Sequence, residues 1–133
     1  MPVSDGQVRD AMSTDVLTIG PNHTLREAAA RMSGRKVGAA VVLDPDHDQP
    51  GILTERDILD AVGAGQNVDT ERVHDHLTSS IVVAAPDWPL TKAAAAMVAG
   101  GFRHLVVCQG QDVIGVLSVR DIVRVNAAEP VGG

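Results

Sequence analysis

Apolar and polar positions alternate along this chain in two series with the same rhythm. A β-branched run at residues 16–19, closed by Gly20 and Pro21, is followed by Leu25, Ala28, Ala29 and Met32 at helical spacing and by an apolar run at 39–43. The pattern predicts strand, helix, strand. Thr24 with Glu27 three residues on forms a capping box for that helix, and Gly34 is expected to end it. Beyond the polar turn 44–50 come a return strand at 51–53 and a helix with Ile58, Ala61 and Val62 inward. The order then runs again. A strand at 81–84 leads to a helix carrying Leu90, Ala93, Ala94 and Met97 and ended by Gly100 and Gly101. Asp87 and Pro89 favour the cap and first turn of that helix. Strands at 104–108 and 113–117 follow, then a helix with Ile122, Val123 and Val125 inward.

The second series repeats the first residue by residue. Val8, Asp10, Met12, Pro21, Leu25, Ala28, Met32, Val41 and Val42 recur 65 positions later as Val73, Asp75, Leu77, Pro86, Leu90, Ala93, Met97, Val106 and Val107. Past the strand the offset falls to 64, since Gly51, Leu53, Thr54, Arg56, Asp57 and Ile58 match Gly115, Leu117, Ser118, Arg120, Asp121 and Ile122. The change falls in a loop, where the turn 44–50 is answered by the shorter hairpin turn 109–112. A duplication of this kind builds two similar half-cores. The predicted fold class is α/β of the α+β kind, two tandem β-α-β-β-α repeats. The first repeat is expected at 1–65 with its opening segment, the second at 66–126, and a flexible tail at 127–133. Segment 68–77 repeats segment 3–12.

With 44% hydrophobic but only 2% aromatic residues, the core must be built from Val, Ile, Leu, Ala and Met, and its elements must approach closely. Eleven basic against seventeen acidic residues give a net charge of −6, which argues against nucleic-acid or anionic-membrane binding driven by bulk charge. No apolar run approaches the roughly 20 residues that span a bilayer, and residues 1–5 lack a basic stretch followed by an apolar one, so a cytoplasmic location is expected. Cys108 is the sole cysteine, expected to be buried and inert. His47, between Asp46 and Asp48, either binds a metal weakly or belongs to an exposed acidic turn; His74 and His76 are two apart and face different ways. No phosphate-cradling glycine loop, paired cysteines or nucleophile–histidine set is present, so no catalysis, metal or required cofactor is expected.

The pattern resembles the cystathionine-β-synthase (CBS) domain, found as tandem pairs. The resemblance rests on Val8-Arg9-Asp10-Ala11-Met12 with Gly51-Ile52-Leu53-Thr54-Glu55-Arg56-Asp57-Ile58. It rests equally on Val73-His74-Asp75-His76-Leu77, the run 101–107 and Gly115-Val116-Leu117-Ser118-Val119-Arg120-Asp121-Ile122. It implies two repeats packed sheet to sheet about a pseudo-twofold axis, leaving two clefts between them. Such clefts bind adenosine compounds, namely AMP, ADP, ATP, S-adenosylmethionine or an NAD-type dinucleotide, and binding regulates an attached or partner protein. Apolar helix faces on so small a module also suggest a homodimer.

Thr54 and Asp57 lie three apart where a strand passes into a helix, and Ser118 and Asp121 repeat the arrangement. A carboxylate there can accept bonds from two ribose hydroxyls, while a hydroxyl and free helix N–H groups can hold a phosphate. Equally, Thr54 and Ser118 can simply cap their helices with the aspartates in the first turn. The resemblance assigns Asp57 and Asp121 to ribose and Thr54 and Ser118 to the phosphate side. Arg103 and His104 stand where relatives carry basic residues that reach phosphates, with Arg56 and Arg120 adding to that field or lying on a solvated surface. The first repeat has Gly38 and Ala39 there, so unequal phosphate binding is expected, with Arg35 and Lys36 as candidate substitutes. Thr18, Ile19, Val83 and Ala84 would line the adenine slot, and Trp88 either covers a cleft or staples its helix. The leading reading is a ligand sensor; the alternative is a ligand-independent scaffold for dimerisation or docking, with vestigial clefts.

Overall fold

The two series of elements appear in the expected order. The structure, a computed structural model, describes residues 6–79 and 81–128. The opening residues 1–5 and residues 129–133 of the expected tail lie outside that range, while 127–128 belong to the last helix. The elements are α1 (Val8–Ala11), β1 (Thr18–Ile19), α2 (Leu25–Arg35), β2 (Ala39–Val42), β3 (Gly51–Thr54) and α3 (Glu55–Gly63). A 3-10 turn at Val73–Asp75 is followed by β4 (Val83–Ala84), α4 (Leu90–Gly100), β5 (His104–Gln109), β6 (Asp112–Ser118) and α5 (Val119–Ala128). This is a mixed α+β fold with two three-stranded sheets, β1-β2-β3 and β4-β5-β6. In each, the first pair is parallel and the second antiparallel.

The packing units do not follow the sequence repeats. One unit holds residues 16–81, and the other joins the opening segment to the chain from 82 onward. The first repeat as read from the sequence, 1–65, is therefore split. Its opening segment serves the second repeat's sheet, and the matching segment around the 3-10 turn serves the first. The bonds are the same in both places. Val8 N–H donates to the Trp88 carbonyl at 2.9 Å and Leu90 N–H to that of Gly6 at 2.8 Å. Their counterparts are Val73 to His23 at 2.9 Å and Leu25 to Glu71 at 3.0 Å. Ser13 and Val116 exchange bonds of 2.9 and 3.0 Å, as Ile52 and Thr78 do, so each segment covers the outer strand of its sheet. The approach is close enough to require glycine. A Cβ on Gly115 would lie 2.6 Å from Met12 Sδ and 2.9 Å from the Ser13 carbonyl oxygen; one on Gly51 would lie 2.8 Å from Leu77 Cδ1.

Each unit has its own aliphatic core. Val8, Leu90, Met97, Leu105 and Leu117 lie in one, and Leu25, Met32, Leu53 and Val73 in the other. Four sequence expectations need correction. Gly34 does not end α2, which runs to Arg35 and closes on Lys36 in the left-handed region, φ 57°, with the Lys36 and Val37 amides bonded back to Met32. The matching residue of α4 is Gly101, φ 70°. Lys36→Gly is therefore expected to stabilise the chain by about 1 kcal/mol, because the left-handed conformation costs a side chain roughly that much; a denaturant midpoint that does not rise refutes it. Second, the cap of α4 is Pro89, with no side-chain cap bond, and the Leu90 amide donates to the Gly6 carbonyl instead. Third, Val62 and Val123 are 54% and 58% exposed. The buried stripes run through Ile58 and Ala61, and through Ile122 and Val125, and a residue just off the stripe turns to the surface. Fourth, Cys108 is half-buried beside a bulge in β5, with partial burial and then the Asp112 charge raising its thiol pKa.

Candidate functional site

Strand β3 runs directly into α3, and β6 into α5, so the last residue of each strand is at or beside a helix N-cap. At the first junction Thr54 and Asp57 form a closed capping box. Asp57 N–H donates to Thr54 Oγ1 at 3.2 Å, and Asp57 Oδ2 accepts from Thr54 N–H at 2.9 Å and from the Thr54 hydroxyl at 3.0 Å. The second junction repeats this with one difference. Asp121 N–H donates to Ser118 Oγ at 3.0 Å and Asp121 Oδ2 accepts from Ser118 N–H at 2.9 Å, but the Ser118 proton is not given to Asp121. Both pairs thus cap their helices, and the spacing that suggested a ligand site is the spacing of a cap.

The start of the preceding strand lies beside each junction. In the antiparallel register Ala39 stands opposite Thr54, and His104 opposite Ser118. The Gly38 carbonyl accepts the Glu55 amide, and the Arg103 carbonyl the Val119 amide, both at 2.9 Å. The fold therefore brings Arg103, His104, Ser118, Arg120 and Asp121 into one neighbourhood, and Gly38, Ala39, Thr54, Arg56 and Asp57 into the other. Of the first-turn amides, those of Glu55 and Asp57, or Val119 and Asp121, are engaged. The amides of Arg56 and Arg120 stay outside these bonds, so the supply of N–H groups for a phosphate is smaller than a bare helix start would offer.

The two neighbourhoods differ in charge. Asp121, only 8% exposed, pairs through Oδ1 with Arg124 at 2.9 Å, and Arg124 also reaches the Ala11 carbonyl at 3.4 Å. In the first repeat Arg56 pairs with Asp60 at 3.3 Å. Glu55, which the sequence reading passed over, covers the Gly38 position: a Cβ on Gly38 would lie 3.3 Å from its carboxylate. Only the β2–β3 pairing reveals this, because the two residues are far apart in the chain. Arg35 and Lys36 stand upstream, at the end of α2.

Of the residues expected at the adenine slot, Ile19 and Ala84 have side chains in the two cores, 4% and 1% exposed. The Leu17 carbonyl accepts the Val41 amide of β2 and the Ile19 carbonyl that of Leu43 just past it, which turns the Thr18 backbone groups toward the outer edge of that sheet. Val83 is half-buried. Trp88 packs partly on its core with Lys92 Nζ 4.2 Å from the ring centroid, as a residue that fixes the start of α4 would. In the acidic turn Asp44 accepts the Asp46 amide at 2.9 Å, which holds its carboxyl below the usual range, and pairs with His47 Nδ1 at 3.0 Å. His76 pairs with Glu71 at 2.8 Å. Among the described residues no group of three or more His, Cys, Asp or Glu is placed to hold a metal ion, and no helix is long and apolar enough to cross a membrane.

The molecule is thus a tandem pair of α+β repeats, each with a hydroxyl–aspartate pair at the start of its last helix. The chain belongs to the CBS domain family, whose model matches residues 8–64 and 73–128. It is 33% identical over 119 residues to an uncharacterized 17.7 kDa protein of Acidianus ambivalens, covering 89% of this chain and 71% of that one. Among solved structures it resembles the hexameric CBS-CP12 protein of bloom-forming cyanobacteria, at 30% identity and a TM-score of 0.83 over 94% of this chain and 76% of that one. The CBS domain pair of protein MJ0100, solved with 5′-methylthioadenosine and S-adenosylmethionine, shares the fold at 21% identity and a TM-score of 0.85, over 96% of this chain and all of that one. The chain spans 43% and 62% of the lengths of two further curated relatives, from Methanocaldococcus jannaschii and Methanopyrus kandleri. The family is typically regulatory rather than catalytic.

Proposed function

We propose that this chain is a non-catalytic regulatory module that binds an adenosine-containing ligand and passes the bound state on through the packing of two copies or of a partner protein. The observation that carries the reading is the grouping of Arg103, His104, Ser118, Arg120 and Asp121 where β6 enters α5. A buried carboxylate for ribose, that of Asp121, lies there beside a hydroxyl and cations for phosphate. Thr54, Asp57 and Arg56 repeat the arrangement without the cations of the strand start. Thr18 and Val83, with the backbones of Ile19 and Ala84, are the proposed adenine contacts. The ligands found in the MJ0100 pair support an adenosine compound as the ligand class. Exposed Leu59 and Val62 on α3 and Val123 on α5 are apolar surface suited to a homodimer or partner. A cytoplasmic setting fits a module of this kind.

The second reading is a scaffold whose clefts no longer bind, and the closed Thr54–Asp57 box favours it for the first repeat. Thermal melts with AMP, ATP, S-adenosylmethionine and NAD separate the two. A ligand at 100 times its Kd stabilises by about 2.7 kcal/mol, a rise of several degrees for a domain of this size. Asp121→Ala is expected to weaken the responding ligand at least tenfold in calorimetry, since a charge-assisted bond contributes roughly 1.5–3 kcal/mol. No shift from any of the four at millimolar concentration leaves the scaffold reading standing.

A further inference from the structure

We infer that the two repeats take adenosine ligands of opposite charge preference, and that Glu55 is the residue that keeps phosphate out of the first. The inference rests on the ligand-binding reading above and adds the chemistry of each site. Three observations lead to it. At matched positions the charge reverses. Glu55, Asp57 and Asp60 against Arg56 leave the first site at −2, while Arg103, Arg120 and Arg124 against Asp121 leave the second at +2. The acid also lies where the base would be. The Glu55 carboxylate is 3.3 Å from the point a Cβ on Gly38 would occupy. In the second repeat the matching backbone position carries Arg103, and the residue matching Glu55 is the neutral Val119.

The hydroxyls differ in the same sense. Thr54 gives its proton to Asp57 at 3.0 Å, whereas Ser118 only accepts, from the Asp121 amide, and keeps its proton for a ligand oxygen. A phosphate at the first site would meet a carboxylate and a committed hydroxyl; at the second it would meet a guanidinium and an uncommitted one. Like charges at this range repel, and the first strand start carries Gly38 and Ala39 where the second carries Arg103 and His104. The first site therefore takes an adenosine whose 5′ group is neutral or cationic, and the second takes a 5′-phosphate.

Calorimetric titration of the full chain with AMP and with 5′-methylthioadenosine tests this. The wild-type chain is expected to bind one AMP tightly, and Gly38→Arg/Glu55→Val, which copies the second repeat into the first, to bind two. Glu55→Gln, which keeps the shape and removes the charge, is expected to tighten the weaker AMP site about tenfold, and it serves if the double variant melts early. Two equal AMP sites in the wild-type chain, or a weaker site that Glu55→Gln leaves unmoved, overturn the inference while ligand binding stands. If neither compound binds the wild-type chain, both the inference and the adenosine reading fall.

Discussion

Gly115→Val should destabilise the protein by about 3 kcal/mol and lower its melting temperature by about 10 °C. Gly115 lies in β6 directly beneath the opening segment, and its missing side chain is what lets Met12 and Ser13 approach. A Cβ there would stand 2.6 Å from Met12 Sδ and 2.9 Å from the Ser13 carbonyl oxygen. The sulfur can swing away on a flexible side chain. The carbonyl cannot, because Ser13 is tied to Val116 by two backbone bonds. Relief requires the segment to lift, which would break that pair and uncover Val8 and Ala11. Gly115→Ala meets the same oxygen and is expected to fall between wild type and Gly115→Val. An unchanged melt for Gly115→Val would mean that the segment does not rest on the sheet as described.

Val8→Asp should be at least as damaging, with a loss of more than about 4 kcal/mol. Val8 is fully buried, at 0% exposure, in the core with Leu90, Leu105 and Leu117, where an aspartate would have no partner. It would either ionise in an aliphatic core or hold its proton there, and both are expensive. Because Val8 precedes β1 yet packs with residues beyond 82, hydrogen exchange should report the damage in the second repeat rather than the first. Faster exchange confined to residues 16–79 would contradict the assignment of the segment.

Local chemistry was legible in the sequence. Thr24 and Glu27 form the capping box their spacing announces, and strands follow in the expected order, although β1 and β4 keep only the last two residues of the runs 16–19 and 81–84. The destination of the opening segment was not. Val8, Asp10 and Met12 carry the same pattern as Val73, Asp75 and Leu77, so periodicity cannot tell which sheet receives which; the path of the chain decides. Lys36 was missed as a helix cap because a non-glycine residue in the left-handed region is uncommon and Gly34 offered a conventional stop. At the candidate site the spacing of Thr54 with Asp57 and of Ser118 with Asp121 was visible. That each pair would bond to itself, and that Glu55 would lie over Gly38, depends on side-chain rotamers and strand register, which no one-dimensional pattern contains.

The exchange of opening segments also sets a timetable for synthesis. Residues 16–81 are contiguous, and all their partners have emerged once that stretch leaves the ribosome. Residues 6–15 emerge before anything else described here, yet their sheet is finished only when β6 appears about a hundred residues later. At translation rates of about 5–20 residues per second they wait roughly 5–20 s with Val8, Ala11 and Met12 uncovered. Among the described residues the apolar surface that emerges first is thus buried only when β6 has emerged, and chaperones or a neighbouring copy can reach it throughout that interval.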